Sequence, residues 1–158
     1  MRNSLVKFQQ KDIELMEKLS KTPFYSGFWN RLRIDKAIEF AAQKSHGVLL
    51  DVGCGNKPYK SCFEPFVDTH IGLEYSPESV YRKCSADFFG NAMQIPLADN
   101  SVDTVLCTEV LEHLPNPEKA IAEFARILRP SGIVITTAPF FYPVHDARDF
   151  FRYSPDGI

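Results

Sequence analysis

An apolar run, Val48-Leu49-Leu50, leads directly into Asp51-Val52-Gly53-Cys54-Gly55. So short an apolar run, closed by glycines, reads as a buried strand that ends in a tight turn. The glycines let backbone approach a ligand with no Cβ in the way. Asp51 sets a carboxylate at the carboxyl end of that strand. In an open α/β sheet this is the end where ligands bind.

From residue 48 onward, strand and helix signals alternate. Strands are expected at 48–52, 70–75, 86–90, 102–107 and 133–137. A short helix falls near 58–65, with Pro58 suited to its first turn. Ser76-Pro77-Glu78 combines a capping hydroxyl, a proline and a first-turn acid, and opens another helix. Asn116-Pro117-Glu118 opens the clearest one. There Ala120, Ile121, Phe124, Ile127 and Leu128 keep the helical period, Arg126 and Arg129 suit the carboxyl end, and Ser131-Gly132 stops it. Alternation of this kind implies parallel strands joined by right-handed crossovers. Before residue 48, two helices are expected, at 4–20 and about 28–43. The second is rich in aromatics, with Phe28, Trp29 and Phe40.

At 158 residues the chain suffices for one domain with a real core. Its net charge of −2 gives no global attraction to nucleic acid. Residues 1–46 carry nine Lys and Arg against five Asp and Glu, which reads as a solvated basic helix face. No apolar run reaches the roughly 18 residues of a spanning helix, and the first twenty residues are too charged for a secretory signal. A cytoplasmic location is expected. Cys54, Cys62, Cys84 and Cys107 form no C-x-x-C pair and no metal spacing with the histidines, so no metal is expected.

Four blocks, in order, carry a family likeness. They are Leu50-Asp51-Val52-Gly53-Cys54-Gly55; Gly72-Leu73-Glu74-Tyr75-Ser76; Gly90-Asn91-Ala92-Met93-Gln94-Ile95-Pro96-Leu97; and Val110-Leu111-Glu112-His113-Leu114 through Arg126-Ile127-Leu128-Arg129-Pro130-Ser131-Gly132. On these the chain resembles class I S-adenosylmethionine-dependent methyltransferases. The likeness covers about 48–138. It implies an α/β, Rossmann-like, doubly wound and mostly parallel sheet of about five strands with helices on both faces. Such a fold would lack the family's last strands here. Residues 1–46 would form a helical cap or lid and 47–158 the cofactor-binding domain.

The resemblance also implies roles. Asp51 would hold the ammonium of S-adenosylmethionine, directly or through water, and Gly53, Cys54 and Gly55 would cradle it. Glu74 would accept the ribose hydroxyls. Asn91 and the Ala92 backbone would contact adenine, and Thr108 and Glu109 would flank the methionine end. His145 and His113 are candidate general bases, because imidazole titrates near neutral pH. Asp149, Arg152 and Tyr153 are candidate acceptor contacts. The chain departs from the family pattern at Asn91, where Asp is usual, and at the position of the third glycine, where Asn56-Lys57-Pro58 follows Gly55.

The expected reaction is methyl transfer to a small-molecule, saccharide or lipid acceptor, at oxygen. A narrower likeness supports a saccharide or glycolipid. Trp29-Asn30-Arg31, Gly55-Asn56-Lys57-Pro58-Tyr59, Pro139-Phe140-Phe141-Tyr142-Pro143-Val144-His145 and Asp149-Phe150-Phe151-Arg152-Tyr153-Ser154-Pro155 look like bacterial methyltransferases encoded with glycan or lipid biosynthesis. Two other readings stay open. One is a truncated or degenerate domain that binds cofactor without catalysis. The other is a nicotinamide-dependent oxidoreductase, against which Pro58 stands, in the place of the third fingerprint glycine. An exposed edge at the fifth strand would favour a homodimer.

Overall fold

The computed structural model describes residues 28–76, 84–140 and 149–154. The expected helix at 4–20, most of the helix opened by Ser76-Pro77-Glu78, and His145 lie outside the described residues. The described chain divides after Ala37 into two units. The first contributes the beginning of helix α1 (Phe28–Ala42). The second, from Ile38 onward, holds the sheet.

Five strands form that sheet: β1 (Val48–Val52), β2 (Thr69–Glu74), β3 (Phe88–Phe89), β4 (Val102–Thr108) and β5 (Leu128–Thr137). Their spatial order is β3-β2-β1-β4-β5, and every pairing is parallel. The chain first winds outward through β2 and β3. It then returns to the far side of β1 with β4. The strand order therefore reverses between β1 and β4, and ligands bind at the carboxyl ends of strands at such a switch point.

Helices cover both faces. On one, Leu50, Val52, Val105 and Cys107 pack with Ala120, Phe124 and Ile127 of α3 (Pro117–Ile127). On the other, the register sets Leu49 beside His70, and the His70 ring meets Phe63 of the one-turn helix α2 (Lys60–Phe63) edge to face, with centroids 6.3 Å apart. Leu49, Phe63 and Leu106 are fully buried. Two covered faces explain the unbroken apolar stretches Val48-Leu49-Leu50 of β1 and Val105-Leu106-Cys107 of β4.

One expected boundary is corrected. Helix α3 ends at Ile127, and Leu128 is already extended and paired with Val102. Pairing then breaks and resumes at Thr104↔Ile133, so residues 129–132 bulge out. Pro130 is the cause: it disfavours helical backbone at Arg129 and offers no amide of its own. Arg129 therefore caps nothing. It pairs with Asp103 at 2.6 Å, and Ser131 takes a φ of +70°.

Candidate functional site

The turn after β1 folds back on the end of β2. The Gly53 and Cys54 amides both donate to the Leu73 carbonyl, at 2.8 and 3.1 Å. The Gly55 amide donates to Glu74 Oε2 at 3.1 Å, and the Tyr75 amide to Glu74 Oε1 at 2.9 Å. Each carboxylate oxygen keeps a second lone pair for another donor. Gly53 and Gly55 have φ of +71° and +49°. A Cβ at Gly53 would lie 2.4 Å from Val110 Cγ2, whereas one at Gly55 would meet nothing within 4 Å among the described residues. Gly53 is thus fixed by packing, and Gly55 borders open space beside an acid.

Beneath the turn, Asp51 is buried and its Oδ2 accepts from His70 Nε2 at 3.0 Å. A carboxylate only accepts, so the proton sits on Nε2. The Lys57 ammonium, also largely buried, donates to the His70 carbonyl at 3.1 Å and pairs with Asp87 at 2.5 Å. Asp87 also accepts the Gly72 amide at 2.7 Å. The Lys57 hydrogen bond first, and the Gly72 amide next, hold the Asp87 carboxyl below its ordinary range. His70 and Lys57 were missed by sequence reasoning. A histidine within an apolar strand gives no local sign of the acid it will meet.

Cys54 is buried in the turn. Burial, then the negative charges of Asp51, Cys84 and Glu74, push its thiol up to about 12. It lines the site as a neutral wall and is no nucleophile on its own.

The third block forms a compact loop after β3. Asn91 pairs with Gln94, and its Oδ1 accepts the Met93 amide at 2.9 Å. Ala92 turns its methyl into the core. Arg126 of α3 clamps this loop, reaching the carbonyls of Ile95 at 2.9 Å and Leu97 at 2.8 Å while paired with Glu123 and Asp99.

At the carboxyl end of β4, Thr108 pairs in register with Thr137 of β5. Glu109 follows with a φ of +54°, a strained backbone for a residue with a side chain, fixed by its amide's bond to the Thr137 carbonyl at 3.1 Å. A 3-10 turn, Leu111–His113, comes next. Glu112 is fully buried, and neither carboxyl oxygen has a hydrogen-bond partner among the described residues. Burial raises its pKa to about 7, and the charges of Glu109 and Asp149 push the same way. His113 Nε2 stands 3.8 Å from Glu112 Oε1. Glu109 Oε1 and Thr137 Oγ1 are likewise buried with no partner among the described residues. Three side chains at this sheet end thus carry buried polar atoms with no hydrogen-bond partner among the described residues.

Residues 149–154 dock here. The Phe150 amide donates to the Glu112 carbonyl at 2.7 Å, and the Tyr153 hydroxyl to the Leu111 carbonyl at 3.3 Å. Asp149 and Arg152 form a bidentate ion pair with each other, including Nη2 to Oδ2 at 2.6 Å. The tertiary structure thus gathers Gly53, Cys54, Gly55 and Glu74 into one cluster and sets Thr108, Glu109 and His113 at the end of β4. Asn91 and Ala92 lie in the loop after β3.

A family model described as a methyltransferase domain matches residues 50–136. An uncharacterized methyltransferase of Mycobacterium ulcerans is 36% identical over 94 residues, which is 55% of this chain and 37% of that one. A demethylmenaquinone methyltransferase of Renibacterium salmoninarum is 30% identical over 116 residues, 73% of this chain and 48% of that one. The chain therefore spans less than half the length of these curated relatives. Among solved structures, a chain of the Haloferax volcanii complex between the Trm112 methyltransferase activator and a methyltransferase candidate matches with TM-score 0.66 at 20% identity, covering 91% of this chain and 69% of that one. The YcgJ protein of Bacillus subtilis matches with TM-score 0.57 at 21% identity, covering 66% and 51%. Both structural likenesses concern the fold.

Proposed function

The chain belongs to the methyltransferase-domain family, and from that premise we propose that it binds S-adenosylmethionine at the ends of β1, β2 and β4 and transfers methyl to a small-molecule, saccharide or lipid oxygen. The observation that carries this reading is the contact between Glu74 and Gly55 at 3.1 Å. It joins an acid able to bridge two hydroxyls to a turn whose next neighbour is open space. The residues present fit the cofactor. Glu74 would hold the ribose and Asn91 with Ala92 the adenine. Asp51, oriented by His70, would face the ammonium, with Thr108 and Glu109 alongside.

The cofactor brings an already activated sulfonium methyl. The protein's share is to hold the acceptor in line and to exclude water. A hydroxyl acceptor must also lose its proton. His113, in the turn after β4, is the described candidate base, and Glu112 beneath it is the group whose charge would tune it. In this family reading Asp149, Arg152 and Tyr153 contact the acceptor. The Asp149–Arg152 pair would keep the guanidinium fixed for that purpose.

β5 is an outer strand of the described sheet, with exposed Val134. The proposed homodimer uses that edge, and sedimentation at high concentration showing only monomer would count against it.

Calorimetric titration tests the main reading. S-adenosylmethionine is expected to bind and NAD not to. Glu74→Gln should weaken binding by about 10- to 100-fold, the loss of hydrogen bonds to a charged group. A folded protein that binds no S-adenosylmethionine would overturn the proposal. Among the described residues no helix is long and apolar enough to cross a membrane.

A further inference from the structure

The tertiary fold brings together three metal-ligating side chains that lie far apart in sequence. Cys54 Sγ, a Glu74 carboxylate oxygen and Cys84 Sγ all lie within 4.8 Å of one another. Cys54 comes from the glycine turn, Glu74 from the end of β2, and Cys84 from the segment that leads into β3. The Ser85 amide donates to the Gly55 carbonyl at 2.8 Å, which pins that segment to the turn. Gly72 makes room from below. A Cβ there would lie 2.6 Å from Cys54 Sγ and 2.5 Å from Lys57 Cε. The bare backbone at Gly72 is therefore what lets the thiol and the lysine stem converge. Cys84 Sγ accepts the Ala86 amide at 3.4 Å.

We propose that Cys54, Glu74 and Cys84 form a site for a thiophilic divalent cation of the zinc kind, and that occupancy of this site excludes the ribose of the methyl donor from Glu74. The second half rests on the cofactor reading given above. Two sulfurs and one carboxylate oxygen are a donor set that zinc selects over magnesium or calcium. A tetrahedral zinc ion with bonds of about 2.3 Å to sulfur and about 2.1 Å to oxygen needs its donors roughly 3.6–3.8 Å apart. With the three atoms within 4.8 Å of one another, any pair closes by at most about 1.2 Å to reach that distance. Three protein donors leave a fourth position for water. Binding the ion displaces the thiol protons of Cys54 and Cys84 to solvent, and Lys57, whose stem lies against the same pocket, offsets part of the negative charge left by two thiolates and a carboxylate. Glu74 cannot serve the metal and the ribose together, so the ion acts as a brake on cofactor binding.

The test uses the full chain, reduced and metal-free. Cadmium is titrated in and its thiolate charge-transfer absorption followed in the ultraviolet. The expected result is a band that saturates at one equivalent. Cys84→Ser should weaken cadmium binding by more than about 100-fold, since removal of even an outer-shell partner costs about 10- to 100-fold. Cys62→Ser should leave the band intact. In a second arm, zinc at about ten times its own dissociation constant should weaken S-adenosylmethionine binding about tenfold in the parent chain and not in Cys84→Ser. No band in a chain that binds S-adenosylmethionine overturns the proposal, as does a band that survives Cys84→Ser. Zinc binding with unchanged cofactor affinity overturns the exclusion. A Cys84-dependent band in a chain that never binds S-adenosylmethionine upholds the metal site and rejects the cofactor reading instead.

Discussion

The buried carboxylate of Asp51 accepts a hydrogen bond from His70 Nε2 at 3.0 Å, across two adjacent parallel strands. The pair is possible because Asp51 lies opposite Gly72 and Leu49 opposite His70, so both side chains leave the sheet on the same face. Gly72, opposite Asp51, leaves its Cβ position to Cys54 and Lys57. An acid at the heart of the glycine turn is thereby satisfied from within the sheet and held in one orientation.

His70→Ala leaves that carboxylate buried and unpaired. Urea denaturation should show a loss of about 1–3 kcal/mol. S-adenosylmethionine affinity should fall as well, because the acid loses its orientation. Unchanged stability would mean that solvent already satisfies Asp51.

The two glycines of the turn should behave differently. Gly55→Ala places a side chain on a left-handed residue with open space around it, at a cost of about 1–2 kcal/mol from backbone strain alone. Gly53→Ala adds a clash with Val110 Cγ2 to the same strain and should cost clearly more. Thermal melts of both variants check the order. Cofactor titration of Gly55→Ala should show weakened binding in a protein that is still folded.

Stability should pass through a maximum on the mildly acidic side of neutral. Asp87, Asp103 and Glu123 have folded-state values below their ordinary ones, from hydrogen bonds to Lys57, the Val48 amide and Arg126 respectively. Their contribution is present above about pH 4 and is lost as pH falls through the lowered values. Glu112 runs the other way, with burial raising it to about 7. Its folded form prefers the proton, so stability is full below about pH 4.5 and declines as pH rises through about 7. Denaturation curves from pH 3 to 9 should show both limbs. Glu112→Gln should flatten the upper limb and leave the lower one in place.

Asn116 caps α3 by accepting the Lys119 amide on its side-chain oxygen at 3.2 Å. Asn116→Ala should cost about 1 kcal/mol, seen as a lowered Tm. Glu123 and Arg126 sit in the same helix and hold the loop after β3 through bonds to Ile95 and Leu97. A larger loss would show that helix and loop yield together.

Much of this fold is written locally. The strand at 48–52 and the start of α3 at Asn116-Pro117-Glu118 follow from short-range signals, since strand runs, caps and prolines act on backbone they adjoin. The misplaced end of α3 has the same origin. Pro130 outweighed Ser131-Gly132, and its effect reached back past Arg129 to an extended Leu128. Glu74 and Gly55 were legible as one site because the spacing from a glycine turn to the next strand's acid is itself a pattern. His70, Lys57, Glu112 and Cys84 were not, because nothing around them in sequence names their partners.

The sequence by itself determined the order of elements, the parallel winding and the turn at Gly53–Gly55, all set by the period of apolar residues and by backbone preference. Only the tertiary structure decided which polar groups meet. Asp51 finds His70 through strand register, while Glu74 finds Gly55 and Cys54 gathers with Cys84 because the turn after β1 folds back on β2 and the Ser85 amide pins the next segment to it. Burial then fixes how strongly they act on one another. Glu112 shows it most clearly: its type announces an acid, but only its packed surroundings raise its pKa to about 7.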